Sequence, residues 1–363
     1  MIKKKKSKKI KYIILSIIIA LSILSVYLIT SVQSPFIQQR GKYLYLRNQR
    51  FRFVGGNVFN LLLKYLRDDF GSGKEVLESS SEHDIKVIRF WATCSNGWWS
   101  GQCLYFGPIN WYHTKDTFFA KFDELVEDAK EHDIYLIPVL CDGYATFSYV
   151  NEDTEVCKLG SKENVMYKDF VKEVVTRYKN EEIILAWEIG NEGHHHCSNM
   201  EDLLNWYEDT ANLIKSLDPN HLISSGENNF GTMDKTNFKL VHSIENISLT
   251  SVHIYKEDLF NFERNVADEE KINHFVSYWT DISHNELGKP IYFGEFGAEV
   301  NISPEFYNDF LESSYTFDVD GVALWSWMEG ADCEEPASSG GHCISPERTP
   351  SIVNSIDFWT NKF

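Results

Sequence analysis

Eight times along the chain, a short β-branched or aromatic run gives way to a longer stretch whose apolar residues recur at helical spacing, and this alternation limits the possible folds more than any other feature. The runs are 51–58 (FRFVGGNV), 86–91 (KVIRFW), 134–140 (IYLIPVL), 183–189 (IILAWEI), 221–225 (HLISS), 248–254 (SLTSVHI), 291–295 (IYFGE) and 321–326 (GVALWS). Between them, Phe118, Phe122, Leu125 and Ala129 predict a helix N-capped by Asp116, and Phe170, Val171, Val174, Val175 and Tyr178 a second. Leu203, Tyr207, Ala211, Ile214 and Leu217 predict a third, and Ile272, Phe275, Val276 and Trp279 one that stops at Gly288 before Pro290. Ser303 and Pro304 read as N-cap and first residue of another. Strand and helix in strict succession mean parallel strands with helical crossovers, and eight units imply an α/β fold closed into a (β/α)8 TIM barrel. No G-x-G-x-x-G follows the first run, which argues against a dinucleotide fold. No Pro-, Gly- or Ser-rich linker divides residues 37–363, so a single domain is expected there.

Residues 1–36 are of another kind. Seven lysines fall within 3–11, and 12–34 carry no charge. An apolar stretch of about 20 residues can span a bilayer, and the positive-inside rule leaves the lysines in the cytoplasm. The segment is expected to be a signal-anchor or a long cleaved signal peptide; in both cases the body of the chain is exported to the cell surface or the extracellular space. Without it, 28 basic side chains stand against 53 acidic ones, a formal charge of −25, so nucleic acid and anionic polymers are poor partners and a neutral one fits better. Seven cysteines suit an oxidising compartment; Cys94 with Cys103 and Cys333 with Cys343 are close enough in sequence to staple loops, although spacing does not fix connectivity and the odd count leaves at least one thiol over. Asn246 and Asn301 begin N-I-S sequons.

Reacting groups of such barrels sit at the C-terminal ends of the strands. There the sequence has Arg89 and Trp91 (second run), Asn191 and Glu192 (fourth), His253 and Tyr255 (sixth), Glu295 (seventh) and Trp325 (eighth). Two carboxyls facing each other among such groups are what glycoside cleavage needs, one to protonate the leaving oxygen and one to attack or stabilise the anomeric carbon. Glu192 and Glu295 are the candidates. A gap of about 5 to 5.5 Å would mean retention and a wider one inversion. Arg89 beside Glu295 would keep that group ionised, whereas Glu192 needs a raised pKa to carry a proton. Glu188 shares a face with Glu192 and is expected to be structural, paired with a buried base. His194, His195 and His196 lack the spacing of a zinc site and are expected to form a loop beside the leaving-group subsites; no metal and no cofactor is implied. Trp98, Trp99, Tyr105, Trp111 and Tyr144 are candidates for either subsite walls or loop packing.

"WEIGNE", "SVHIY", "YFGEFG" and "ALWSW", closing the fourth, sixth, seventh and eighth runs in that order, resemble the motifs of glycoside hydrolase family 5 over roughly residues 40–330. The resemblance implies Glu192 as acid/base, Glu295 as nucleophile, Asn191 on the sugar 2-hydroxyl, Arg89 and Tyr255 holding Glu295, His253 lining the cleavage subsite and Trp325 as sugar platform. "VIRFWA", "LIKSLDPNHLISSGENNFG" and "KPIYFGEFG" are similar to the endo-β-1,4-mannanases of that family, and "VLCDGY", with Asp142 where many members carry a histidine, departs from the cellulases. The expected activity is therefore retaining cleavage of a β-1,4-linked neutral polysaccharide, mannan or glucomannan, by a monomer. The alternatives are a β-1,4-glucanase, an exo-β-mannosidase, or a carbohydrate-binding surface protein without turnover.

Overall fold

The computed structural model describes residues 15, 17–19, 34–67, 71–93, 111–142, 155–195, 197–228, 233–256, 259, 268–298, 304–327 and 342–363. Three short strands, β1 (Gln38–Arg40), β2 (Tyr43–Leu46) and β3 (Gln49–Arg50), form an antiparallel sheet. The eight barrel strands follow: β4 (Phe53–Asn57), β5 (Val87–Trp91), β6 (Tyr135–Val139), β7 (Ala186–Glu188), β8 (Leu222–Ser224), β9 (Thr250–Tyr255), β10 (Ile291–Gly297) and β11 (Gly321–Leu324). Each lies inside or overlaps one of the eight runs. Neighbours pair in parallel in the order β8-β7-β6-β5-β4-β11-β10-β9, and a parallel bridge between Ser224 and Leu249 joins the two ends, so the sheet closes on itself. Closure leaves no edge strand in the barrel to manage. Strands packed on both faces lose the alternating pattern, and β4 is buried at all five positions.

The crossovers are helices α1 (Leu61–Leu66), α2 (Gly73–Glu82), α3 (Trp111–Glu131), α4 (Lys162–Tyr178), α5 (Met200–Leu217), α6 (Lys235–His242), α7 (Asp268–Asp281) and α8 (Pro304–Thr316), and α9 (Pro350–Thr360) follows the last strand. Their starts are set by side chains that satisfy otherwise unpaired backbone donors: Ser161 accepts from the Asn164 amide, Asn199 from that of Asp202, and Asp234 from that of Asn237. One predicted boundary is wrong. Asp116 lies within α3, which begins five residues earlier because Trp111 is buried edge-on against Phe118, Phe119 and Phe170. That packing also removes Trp111 from the candidate subsite walls; Trp98, Trp99, Tyr105 and Tyr144 lie outside the described residues. A π-helical turn at Ile282–Glu286 extends α7 before Gly288, at φ +66°, ends it where the sequence indicated.

The floor of the barrel is built by the antiparallel sheet, which sequence alone did not reveal. Ile37, Leu44 and Phe51 pack with Phe53, Val87, Ile137, Leu185, Leu222, Leu249 and Tyr292, residues at the N-terminal ends of the barrel strands or just before them. Asp320, fully buried, ties this floor to the rest: it accepts from the Leu44 amide (3.0 Å), the Ile291 amide (3.1 Å) and Arg50 Nη1 (2.8 Å), with His284 Nε2 at 3.2 Å. Cys157 and Cys197 are disulfide-bonded with Cα atoms 5.5 Å apart, a pairing that spacing did not suggest; Cys343 is disulfide-bonded as well, while Cys94, Cys103 and Cys333 lie outside the described residues. Among the described residues no helix is long and apolar enough to cross a membrane, and of the segment 12–34 only 15, 17–19 and 34 are described.

Two stability predictions follow from buried polar groups. Asp320→Ala strands two backbone amides and leaves Arg50 with Asp318 as its remaining carboxylate partner, so it should cost about 3 kcal/mol in urea unfolding. His242 is fully buried, with Nδ1 on the Phe238 carbonyl (2.9 Å), which fixes the proton there and leaves Nε2 to accept from the Ser225 hydroxyl (2.8 Å). Burial pushes its pKa from 6.5 down to about 3, so the unfolded chain binds this proton more readily. The sign is therefore a loss of stability as pH falls through that window, by at most about 1.4 kcal/mol per unit. Urea midpoints between pH 4 and 7 should show a shallower decline in His242→Gln than in the native chain.

Candidate active site

Arg89, on the inward face of β5, is fully buried and spends its whole donor set inside the barrel. Nε donates to Glu188 Oε1 (2.7 Å), Nη1 to Asn57 Oδ1 and Glu295 Oε1 (both 2.9 Å), and Nη2 to Asn191 Oδ1 (2.7 Å) while lying 2.6 Å from Glu188 Oε1. Burial alone would lower its pKa, but the Glu188 and Glu295 charges reverse that, so the guanidinium stays charged. Glu188 is thus partnered with a buried base, as the sequence predicts, and also accepts from the hydroxyls of Ser224 (2.9 Å) and Tyr292.

Glu295 reaches the same centre through a backbone irregularity. The register between β9 and β10 shifts between Phe293 and Glu295, so Gly294 is an extra residue in the strand. A bulge of this kind re-aims the next side chain. The Asn57 side-chain amide holds it by donating to the Gly294 carbonyl at 2.9 Å. Arg89 binds one Glu295 oxygen and the Tyr255 hydroxyl donates to the other. Burial raises the Tyr255 pKa, and the Glu295 charge raises it further, which keeps the phenol a donor.

Glu192 ends a tight turn past β7 at φ +51°, the left-handed region that a non-glycine residue enters at a cost. Its amide donates to the Gly226 carbonyl (2.8 Å) and the Asn191 amide to that of Cys141 (2.7 Å), so the turn is held from both neighbouring strands. Gly226 must be glycine: φ is +73°, and a Cβ there would stand 1.9 Å from the Gly190 carbonyl oxygen. Glu192 faces Glu295 across His253, whose Nδ1 lies 2.8 Å from Glu192 Oε1 and 3.6 Å from Glu295 Oε1. One polar atom from each of the three lies within 4.8 Å of the others. Such a set could ligate a cation, but here Arg89, Tyr255 and His253 already donate to these oxygens. Burial would raise the Glu192 pKa, yet the bond and charge of His253, followed by a bond from Asn228, outweigh it and hold the carboxyl at about 2. That corrects the upward shift expected from sequence; the reason is a donor from β9 that no local pattern around Glu192 announces.

An aromatic wall flanks the pair. Trp325 stacks on Phe59 (centroids 5.8 Å, planes 25° apart) and lies 5.8 Å from Trp91, which in turn covers the Arg89 guanidinium at 4.7 Å. Asp142 is buried at the end of β6, bridged to Asn191. Of the three histidines, His194 pairs with Glu227, His195 Nε2 lies 3.8 Å from Glu192, and His196 lies outside the described residues. All eight predicted site residues therefore meet at one end of the barrel. Sequence reasoning passed over Asn57, Phe59 and Glu227. Asn57 closes the first run and Glu227 lies just past the fifth, so the strand-end rule applied to every run would have found both.

The family comparison agrees with this geometry. Residues 66–321 match the family model described as GH family 5 beta-mannosidase-like. Mannan endo-1,4-beta-mannosidase 8 of Oryza sativa subsp. japonica is 28% identical over 88% of this chain and 93% of its own length. Mannan endo-1,4-beta-mannosidase 5 of Solanum lycopersicum is 25% identical over 88% and 87%. Among solved structures, a glycoside hydrolase family 5 mannosidase from Rhizomucor miehei shares the fold with a TM-score of 0.73 at 17% identity, over 90% of this chain and 97% of that one. The endo-1,4-beta-mannanase from the same organism does so with a TM-score of 0.70 at 19% identity, over 90% and 100%. With the family model matching from the end of α1 to the start of β11, more than half of the chain, the chain belongs to glycoside hydrolase family 5, in its β-mannosidase-like group.

Proposed function

We propose that the protein cleaves β-1,4-linked mannan or glucomannan internally by double displacement, with Glu192 as acid/base and Glu295 as nucleophile. The observation that carries this is the approach of one oxygen of each carboxylate to within 4.8 Å beside His253, a closeness that favours retention over inversion. Mannan as substrate is supported by the relatives from rice and tomato, both mannan endo-1,4-beta-mannosidases.

Each neighbour has a task in this reaction. Arg89 and Tyr255 fix Glu295 as an oriented carboxylate, ready to attack the anomeric carbon. Asn191 gives its oxygen to Arg89, so its amide N–H is left for the sugar 2-hydroxyl, a bond that strengthens in the transition state. Trp325, with Trp91 and Phe59 beside it, offers a flat apolar face to a pyranose ring. His253 lines the cleavage subsite and prepares Glu192 as the base of the second step. For the first step Glu192 must gain a proton. A sugar seated over its 15% exposed side chain deepens the desolvation that favours the neutral acid. The lysine stub and uncharged segment of residues 1–34 support export, by anchor or cleaved signal, and residues 37–363 act as one catalytic domain.

Glu295→Gln and Glu192→Gln should each lower mannan hydrolysis by about a thousandfold while far-UV circular dichroism is unchanged. Reducing-sugar release near the native rate from either variant refutes the assignment of that carboxyl, and release from cellulose but not from mannan refutes the substrate. Proton NMR of the first products should show β-anomers; initial α-anomers mean inversion.

A further inference from the structure

Behind Glu192 lies another acid, which the proposed reaction does not use. Glu227 is fully buried just past β8. Its Oε1 accepts from the Tyr207 hydroxyl on α5 (2.5 Å) and from the His194 backbone amide (2.8 Å), and its Oε2 lies 2.6 Å from His194 Nδ1. Burying a carboxylate is costly, and an apolar contact would hold α5 against the barrel at less expense. What this carboxylate grips is the turn that carries Glu192. His194 is two residues past Glu192, in the single 3-10 turn Gly193–His195. The near side of the turn is held where the Glu192 amide meets the Gly226 carbonyl, and the far side where His194 is bound through backbone and ring together. Gly193, between them, lies so close that a Cβ would stand 2.5 Å from the Tyr207 hydroxyl and 3.1 Å from Glu227 Oε1.

We propose that Glu227 and His194 form a positioning pair that holds the left-handed turn at Glu192 and so aims its carboxyl at the leaving oxygen. This rests on the reading of Glu192 as acid/base. Misplacement of a proton donor by a fraction of an ångström lowers the rate of the step that needs the proton and leaves sugar binding intact. Burial would depress the His194 pKa, but the bond and charge of Glu227, then the Glu192 charge, raise it above the ordinary imidazole value, in keeping with the 2.6 Å contact between the ring and Glu227. The His195 ring, 3.8 Å from that of His194, covers its other side.

The test compares two substrates in the full chain: mannohexaose, whose leaving group needs a proton, and 2,4-dinitrophenyl β-mannobioside, whose leaving group does not. For Glu227→Gln, kcat on mannohexaose should fall about 10- to 100-fold with KM within about twofold. The burst of dinitrophenolate should stay within about threefold of native, followed by slow turnover because deglycosylation needs Glu192 as base. Tyr207→Phe removes one bond and keeps the charge, so it should show the same split at smaller size, and it carries the test if Glu227→Gln does not fold. Equal losses on both substrates, or a rise in KM alone, overturn the positioning role. A native chain that cleaves neither substrate overturns the acid/base reading and the pair with it.

Discussion

The five N–H donors of one buried arginine organise this molecule. Arg89 draws Asn57 of β4, Glu188 of β7, Asn191 just beyond it and Glu295 of β10 onto a single cation, so three separate stretches of chain converge on it inside the barrel. Two carboxylates placed there without it would repel each other across a medium that screens little. With it, Glu188 lies deep in the cluster and Glu295 at its outer side, facing Glu192. An ion network of this kind contributes little net stability relative to an apolar core. Its value is geometric, because a guanidinium accepts partners only in its own plane and at fixed angles.

The two carboxyls that face one another are delivered by departures from regular backbone, not by regular strands. Glu295 follows an extra residue in β10, and Glu192 sits at φ +51° past β7. Both irregularities are held by partners on neighbouring strands: Asn57 on the Gly294 carbonyl, and the Gly226 carbonyl on the Glu192 amide. Strain tolerated at the mouth is offset by the closed, densely packed wall beneath it.

How far the sequence discloses all this follows from the range of each interaction. The barrel strands are legible because a two-face-buried run and the helical stripe after it are local patterns, and the strand-end rule then picks out Arg89, Glu192 and Glu295 without any contact being known. The floor is illegible for a local reason as well. The turn joining β2 to β3 has positive φ at Arg47 (48°) and Asn48 (68°), and Arg-Asn is not the Asn-Gly pair that usually announces such a hairpin. The start of α3 at Trp111 and the sign of the Glu192 shift both depend on side chains brought in from other elements: Phe170 in one case and His253 in the other. Cys157 and Cys197 are 40 residues apart, and only the folded chain brings them together.

The small antiparallel sheet also fixes an orientation. It seals the barrel at the end where the strands begin, with Phe36 against His221 and Pro35 beside Asp133 and Ile183, so residues 35 and 36 lie at the base and the carboxyl pair opens at the opposite pole. The place where the described chain enters the barrel and the place where its two facing carboxyls open are therefore separated by the whole height of the strands, so neither end of the barrel has to serve both purposes.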